Sequence, residues 1–389
     1  MFVVKKLSIF FQRRKNMELK LQREKFLSAL HLLEPIVSAH TGLPITPDVL
    51  ISTDGKDNCK LIATDIETAL RIELRCEVIS EGEICIPAKK LIAAVKELDE
   101  NEIILKTQDE KTPVAYIYCG KVKHTFIGQP AKNHPGMPKY DEKEVKSSQV
   151  VIPTEVLLDA FVKTVFAVSK EETRYYLNGV YVNIQKDLVK FVATDGRRLA
   201  YITKNIPSSK VVVSGIIPSK SVERVIDILE ETEEKNCKIA ISQEHFVFEV
   251  DNMCFVSRLV QGDFPAYEQV IPKITTTMSL PVKTLIKGIK QVSWVTGEKG
   301  FGIKFLITKG GIKISSAVES VGIAEVELDA NYAGKDVEVK FEPSYILDML
   351  SVLEKDVDVI VGINEPTSPW TFYPSDDKNY LYILMPMKL

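Results

Sequence analysis

Apolar and polar positions alternate with a period of two over short runs, and the runs recur in one order three times along the chain. "LIATDIETALRIEL" (61–74), "FVATDGRRLAYITK" (191–204) and "IKISSAVESVGIAEVEL" (312–328) each read as strand, tight turn, strand. Each is followed by a further strand that runs into a proline and an amphipathic helix: "EICIPAKKLIAAVKEL" (83–98), "VSGIIPSKSVERVIDIL" (213–229) and "VEVKFEPSYILDML" (337–350). Pro87, Pro218 and Pro343 mark the same event, because the fixed φ and missing N–H of proline are tolerated where a helix begins. A second helix precedes each unit, in "QREKFLSALHLL" (22–33), "PTEVLLDAFVKTVF" (153–166) and "PVKTLIKGIKQVSW" (281–294). "KHTFIGQP" (123–130), "FVSRLVQGDFP" (255–265) and "LYILMPMKL" (381–389) read as closing strands.

A period of about 125 residues is far too long for a solenoid. It predicts an α+β fold made of three tandem copies of a two-helix, antiparallel-sheet domain. Polar "KYDEKEVKSS" and "IPKITTT" place the boundaries, giving domains at 17–145, 146–273 and 274–389 after an extension at 1–16 that we expect to be disordered. The opening "MFVVKKLSIFFQRRKN" has its strongest positive cluster after the apolar residues, the wrong order for a secretion signal, and no run reaches membrane-spanning length.

The repeat bears on the one chemically suggestive turn, Thr194-Asp195-Gly196-Arg197-Arg198. Asp65 and Asp195 fall at equivalent turns, so a duplicated Thr-Asp pair reads as backbone capping. Copy one has Glu67 and Thr68 where copy two has Arg197 and Arg198, so the arginines are what distinguish copy two. The helices give a second pattern. At 100° per residue, Leu285, Ile289 and Val292 face one way and Lys283, Lys287 and Lys290 the other. The same offsets put Leu91 and Leu98 opposite Lys89 and Lys96, and Val222, Ile226 and Leu229 opposite Lys220 and Arg224. One basic helix face is ordinary solvation, whereas recurrence on three repeats predicts a surface for a polyanion.

Composition narrows the class. The 389 residues carry 50 Lys and Arg against 53 Asp and Glu, so net charge does not by itself predict a nucleic-acid partner. Six scattered cysteines form no C-x-x-C pair and predict no metal site; a reducing cytoplasm is the expected setting. "GEKGFGIK" (297–304) leads from a helix into a strand, the reverse of a phosphate loop. No catalytic motif is found, which predicts a binding protein without a cofactor. The competing reading is a metal-dependent nucleic-acid hydrolase using Asp65, Asp195 or Glu319; only Glu67 beside Asp65 adds a second carboxylate within these turns, so no metal cage recurs with the repeat.

"RYYLNGVYV" (174–182), "VATDGRRLA" (192–200), "GDFPAYEQVIP" (262–272) and "YILMPMKL" (382–389), in this order, resemble the beta subunit family of bacterial DNA polymerase III, the replicative sliding clamps. The resemblance runs from Met17 to Leu389. It implies the DNA clamp fold, a head-to-tail homodimer closing a six-domain ring, and a non-enzymatic processivity role in DNA replication. Duplex DNA would be encircled without sequence preference, near Lys89, Lys90, Lys220, Arg224, Lys283, Lys287, Lys290, Tyr175 and Tyr176. The implied partners are the polymerase III alpha subunit, the clamp loader and other proteins carrying short clamp-binding motifs, with no membrane partner. Their cleft would comprise Leu177, Thr194, Gly196, Arg197, Arg198, Leu199, Pro265, Val270, Ile383, Met385, Pro386 and Met387, with Leu199, Val270, Ile383 and Met385 as apolar floor and the arginines as donors at the rim. Trp294 and Val295 are expected at the dimer junction. Departures from the family pattern are Gln269 and Arg197 in the cleft, His124 at the ring interface and His40 where a DNA-contacting arginine can occur.

Overall fold

A computed structural model describes residues 16–37, 47–108, 113–207, 209–274, 276–296 and 302–388. Residues 1–15 of the expected extension, His40, positions 297–301 of "GEKGFGIK" and Leu389 lie outside the described residues.

The threefold pattern becomes a threefold order of elements. Copy one contains β1 (Glu18–Gln22), α1 (Arg23–Val37), β2 (Asp48–Asp54), β3 (Asn58–Thr64), β4 (Thr68–Arg75), β5 (Glu77–Ser80), β6 (Glu83–Pro87), α2 (Ala88–Lys96), β7 (Glu102–Gln108), β8 (Val114–Cys119) and β9 (Val122–Ile127). After α3 (Glu142–Ser148), copy two contains β10 (Val150–Pro153), α4 (Thr154–Val165), β11 (Gly179–Gln185), β12 (Leu188–Thr194), β13 (Arg198–Asn205), β14 (Val212–Pro218), α5 (Ser219–Glu231), β15 (Asn236–Ile241), β16 (His245–Val250) and β17 (Met253–Arg258). Copy three contains β18 (Thr276–Pro281), α6 (Val282–Ser293), β19 (Ile303–Thr308), β20 (Gly311–Val318), β21 (Gly322–Leu328), β22 (Val337–Phe341), α7 (Pro343–Ser351), β23 (Asp358–Ile363), β24 (Trp370–Pro374) and β25 (Tyr380–Leu384). Among the described residues, copy one adds the short β5 to this order.

Two details differ from the sequence pattern. The polar stretch expected as a linker forms α3, with Val145 and Ser148 buried. The helix-starting prolines do not share one position. Pro87, Pro218 and Pro281 cap their helices with ψ of 113°, 141° and 134°, still extended as the last residue of a strand. Pro343 alone occupies the first helical turn, behind Glu342. In each case the ring stops the ladder without removing an N–H that the helix needs.

The chain forms two compact units, one reaching Asp141 together with Val247–Ser257, the other comprising Glu142–Phe246 and Arg258 onward. In the first, β5-β1-β7-β8-β9 form one antiparallel sheet and β17-β4-β3-β2-β6 run consecutively in another. Helices α1 and α2 pack together, burying Phe26, Leu30, Leu33, Leu91 and Val95. In the second, β21-β20-β19-β22 form a four-stranded sheet, and eight strands run in the order β14-β11-β12-β13-β25-β24-β23-β18. That sheet joins copies two and three at one seam, where Arg198 stands opposite Leu384 and Leu199 opposite Ile383. The last strand is therefore laid beside the strand that leaves the Thr194–Arg198 turn.

Candidate functional site

The turn between β12 and β13 shares three hydrogen bonds with that between β3 and β4. Thr194 Oγ1 donates to the Arg198 carbonyl at 2.6 Å and accepts from Gly196 N–H at 3.1 Å. Thr64 Oγ1 does the same with the Thr68 carbonyl and Ile66 N–H, at 2.8 and 3.0 Å. Asp195 Oδ1 accepts from Arg198 N–H at 3.0 Å, as Asp65 Oδ1 accepts from Thr68 N–H at 2.6 Å. Both turns need a residue at positive φ, and Gly196 supplies it without strain. These carboxylates are committed to local N–H groups, which fits turn chemistry better than a metal cage.

The two arginines have different surroundings. Arg198 is 8% exposed and its donors are used inward. Nε reaches Asp195 at 3.1 Å, Nη1 reaches Asp348 of α7 at 2.7 Å, and Nη2 donates to the Phe166 carbonyl at 2.7 Å, at the C-terminal end of α4. Its guanidinium also stacks over the Tyr345 ring at 4.3 Å. Burial pulls its pKa down, but Tyr382, Asp348 and Asp195 outweigh that and raise it. Arg198 is thus a strut between copies two and three, not a rim donor as the resemblance implied; planar donors suit such a three-way contact. Arg197 is exposed, and a hydrogen bond with Tyr345 is the leading cause holding its pKa above the ordinary value.

Around this strut opens a cavity of about 1190 Å³. Its walls are Val168–Glu171, Asp195, Arg197 and Arg198 from copy two, Glu342, Ser344, Tyr345 and Asp348 from the start of α7, and Met385–Lys388 from the chain end. Backbone bonds hold that end in place: Met385 N–H donates to Arg197 at 2.9 Å and Met387 N–H to Lys340 at 2.7 Å. The result is a groove with mobile thioether side chains, one exposed arginine and a half-buried tyrosine, suited to an apolar peptide anchor flanked by polar groups.

The twelve expected cleft residues do not share this cavity. Arg197, Arg198, Met385, Pro386 and Met387 line it. Strand alternation turns Leu199 and Ile383 to the opposite face, where they pack with Val192 and Tyr267 against Tyr181, Tyr201, Phe264, Ile271 and Leu381. Leu199 and Ile383 are nearly fully buried, whereas Val270 is 50% and Met385 42% exposed, so the expected apolar floor is two buried and two exposed residues. Leu177 and Thr194 are buried, while Gly196 and Pro265 are exposed. Sequence reading missed Tyr345, Asp348, Glu342 and Ser344. Tyr345 and Asp348, three apart after Pro343, share a helix face, and that was the available signal.

The lysines expected to face DNA lie on the outer sides of their helices. Lys89, Lys90, Lys220, Lys283, Lys287 and Lys290 are exposed, opposite buried Leu91, Val222, Leu285 and Ile289. Arg224 is half-buried and bound to Asp227 at 2.6 Å, and Glu223 and Glu230 are also exposed on α5, so that helix is mixed in charge while α6 is uniformly basic. Tyr175 is 56% exposed and packs edge-on against Tyr176. At the end of α6, Trp294 is 63% exposed but Val295 is 1% exposed, a core residue with no surface to offer a partner. No helix among the described residues is long and apolar enough to cross a membrane.

Known proteins match the chain over most of its length, the family models beginning at residue 17. Models of the DNA polymerase III beta subunit match as its N-terminal domain over 17–138, its central domain over 151–266 and its C-terminal domain over 268–388. The beta sliding clamp of Chlamydia pneumoniae is 30% identical over 376 residues, 96% of this chain and 99% of that protein. The beta sliding clamp of Caulobacter vibrioides is 27% identical over 96% of this chain and all of its own. Among solved structures, the C. crescentus beta sliding clamp superposes with a TM-score of 0.90 at 27% identity, over 97% of this chain and 100% of that one. A sliding clamp from Bartonella birtlesii bound to griselimycin gives 0.88 at 27% identity, over 96% and 100%. The chain belongs to the DNA polymerase III beta subunit family.

Proposed function

We propose that this chain is a sliding clamp, a non-catalytic processivity factor that encircles duplex DNA in the bacterial cytoplasm and tethers the replicative polymerase, the clamp loader and other motif-bearing proteins. The observation that carries the reading is the pairing of β25 with β13, which brings the chain end against the copy-two turn and builds a peptide-sized groove where two copies meet. The domains of this reading are 17–145, 146–273 and 274–389. The exposed lysines of α2, α5 and α6, with Tyr175 and Tyr176, face the DNA; their phosphate contacts are weak singly and screened by salt, so retention depends on topology.

Two chains join through β9 and β21, each the terminal strand of its sheet. Ile127 on β9 is 73% exposed and Ile323 on β21 is 72% exposed, and Lys123 on β9 complements Glu325 and Glu327 on β21. Paired edges of this kind bury apolar side chains that a monomer leaves in water.

Deleting Met385–Leu389 tests the groove. On folded protein it should weaken binding of clamp-loader and polymerase peptides by at least about 2 kcal/mol, the scale of a lost hot spot, while oligomeric state is unchanged. Unchanged peptide affinity in a calorimetric titration would remove the site assignment. Loaded protein should persist on a nicked circle and be lost from linear duplex; equal loss from both would remove the clamp reading.

A further inference from the structure

The sequence scatters six cysteines, but the topology brings two together. In the β3–β4 ladder Cys59 stands opposite Leu74 and Asn58 opposite Arg75. The ladder runs one step further, where Cys76 N–H donates to the Asp57 carbonyl at 2.9 Å. Residues two apart on a strand share a face, so Cys76, opposite Asp57, lies on the same face as Cys59, one diagonal step away. The two thiols influence each other's titration, each being the leading cause of the other's shift. Diagonal neighbours have Cα atoms about 7–8 Å apart and side chains closer, just beyond the ~6.8 Å upper limit of disulfides, so a small closure of the hairpin suffices.

Their environments differ in the way a redox pair needs. Cys59 is fully buried; Cys76 is half-buried between exposed Arg75 and Glu77. The neighbouring Cys59 thiol is the leading influence lowering the Cys76 pKa, against the opposing effect of burial, while Cys76 and burial push Cys59 up. Burial raises Cys85, Cys237 and Cys254 to about 12, 12 and 11, which leaves them poor nucleophiles.

We propose that Cys59 and Cys76 are an oxidation site, a dithiol that hydrogen peroxide closes to a disulfide. The Cys76 thiolate attacks one peroxide oxygen; an S–O bond forms, the O–O bond breaks, and the departing hydroxide takes a proton to become water. The Cys59 sulfur then attacks the resulting sulfenic sulfur. An S–S bond forms, the S–O bond breaks, and the hydroxyl leaves with the Cys59 proton as a second water. Two thiols and one peroxide give one disulfide and two waters, and a dithiol reductant reverses the change by exchange. Cys76 is the residue between β4 of one sheet and β5 of the other, so the bond fastens the link between the two sheets of copy one.

Mass spectrometry of the full chain after brief hydrogen peroxide treatment tests this. We expect an intact mass lower by about 2 Da, a crosslink whose fragment ions assign it to Cys59 and Cys76 rather than Cys85, and recovery with dithiothreitol. Cys76 should react at least about tenfold faster than Cys85, Cys237 or Cys254. In Cys59→Ser the sulfenic acid should persist on Cys76 and be trapped by dimedone. Both thiols remaining free, a bridge between chains, or Cys76 passing to sulfinic acid without the crosslink would each overturn the proposal, and the unmutated chain alone is enough to decide.

Discussion

Ile66 and Gly196 occupy one place in two copies of the same turn, with φ of 81° and 84°. Glycine adopts that angle freely, whereas a β-branched residue there is strained by about 1–2 kcal/mol. Ile66 is 40% exposed and gives up little burial if removed. Ile66→Gly should therefore stabilise the protein, by about 0.5 kcal/mol after the entropy of the added glycine is subtracted, read as a higher urea midpoint. Arg198 predicts the opposite sign. Arg198→Met leaves Asp195 and Asp348 facing each other and the Phe166 carbonyl without its donor, and should destabilise the fold by about 3 kcal/mol. Arg197→Ala, on an exposed side chain, should leave stability within about 0.5 kcal/mol while weakening peptide binding. Equal stability losses from the two would show that Arg198 is not the strut.

At the scale of elements, the start of β2 carries a pH-sensitive contact. Asp48 is 2% exposed and accepts a hydrogen bond from Gln129 Nε2 at 2.9 Å, beside the bridge between Cys85 and Gln129. Burial raises its carboxyl to about 6, with the Gln129 bond only partly opposing. The folded state then holds the proton more tightly than the unfolded chain, so this contribution is complete below about pH 4 and is lost as pH rises through 6. Asp48→Asn should leave stability unchanged near pH 4 and raise it by up to about 3 kcal/mol at pH 8. Urea unfolding at the two pH values checks this, and a gain confined to low pH would contradict the sign.

For the whole molecule, the proposed junction rests on the exposed isoleucines at the sheet edges, Ile127 and Ile323. A chain of 43.7 kDa should sediment as a dimer of twice that mass. Replacing Ile127 and Ile323 with Asp should convert it to monomer at micromolar concentration, because each buried isoleucine contributes roughly 1.5–3 kcal/mol and each new charge opposes burial. A dimer that survives both changes would place the junction elsewhere. Trp294→Asp is a milder probe of the same assembly, since Val295 beside it serves the core.

Periodicity determined much of this molecule. Two-residue alternation, helix faces and prolines at strand-to-helix transitions gave three copies of one element order, since these signals depend only on local geometry and on which side must avoid water. The lysine stripes were legible for the same reason, because a residue opposite a buried Leu285 or Ile289 has to face outward. The duplicated Thr-Asp turns were legible as well, their bonds spanning four residues at most. What only tertiary structure decided were relations across the chain. Arg198 meets Asp348 because β13 lies beside β25 in one register, and sliding that seam by a single residue would exchange the faces of Arg198 and Leu199. Cys59 and Cys76 become diagonal neighbours because a ladder extends one pair beyond the strands that the alternation marks. Val295 was drawn into the core rather than a junction because the side on which a helix end is buried depends on the neighbours packed against it, which no local pattern contains.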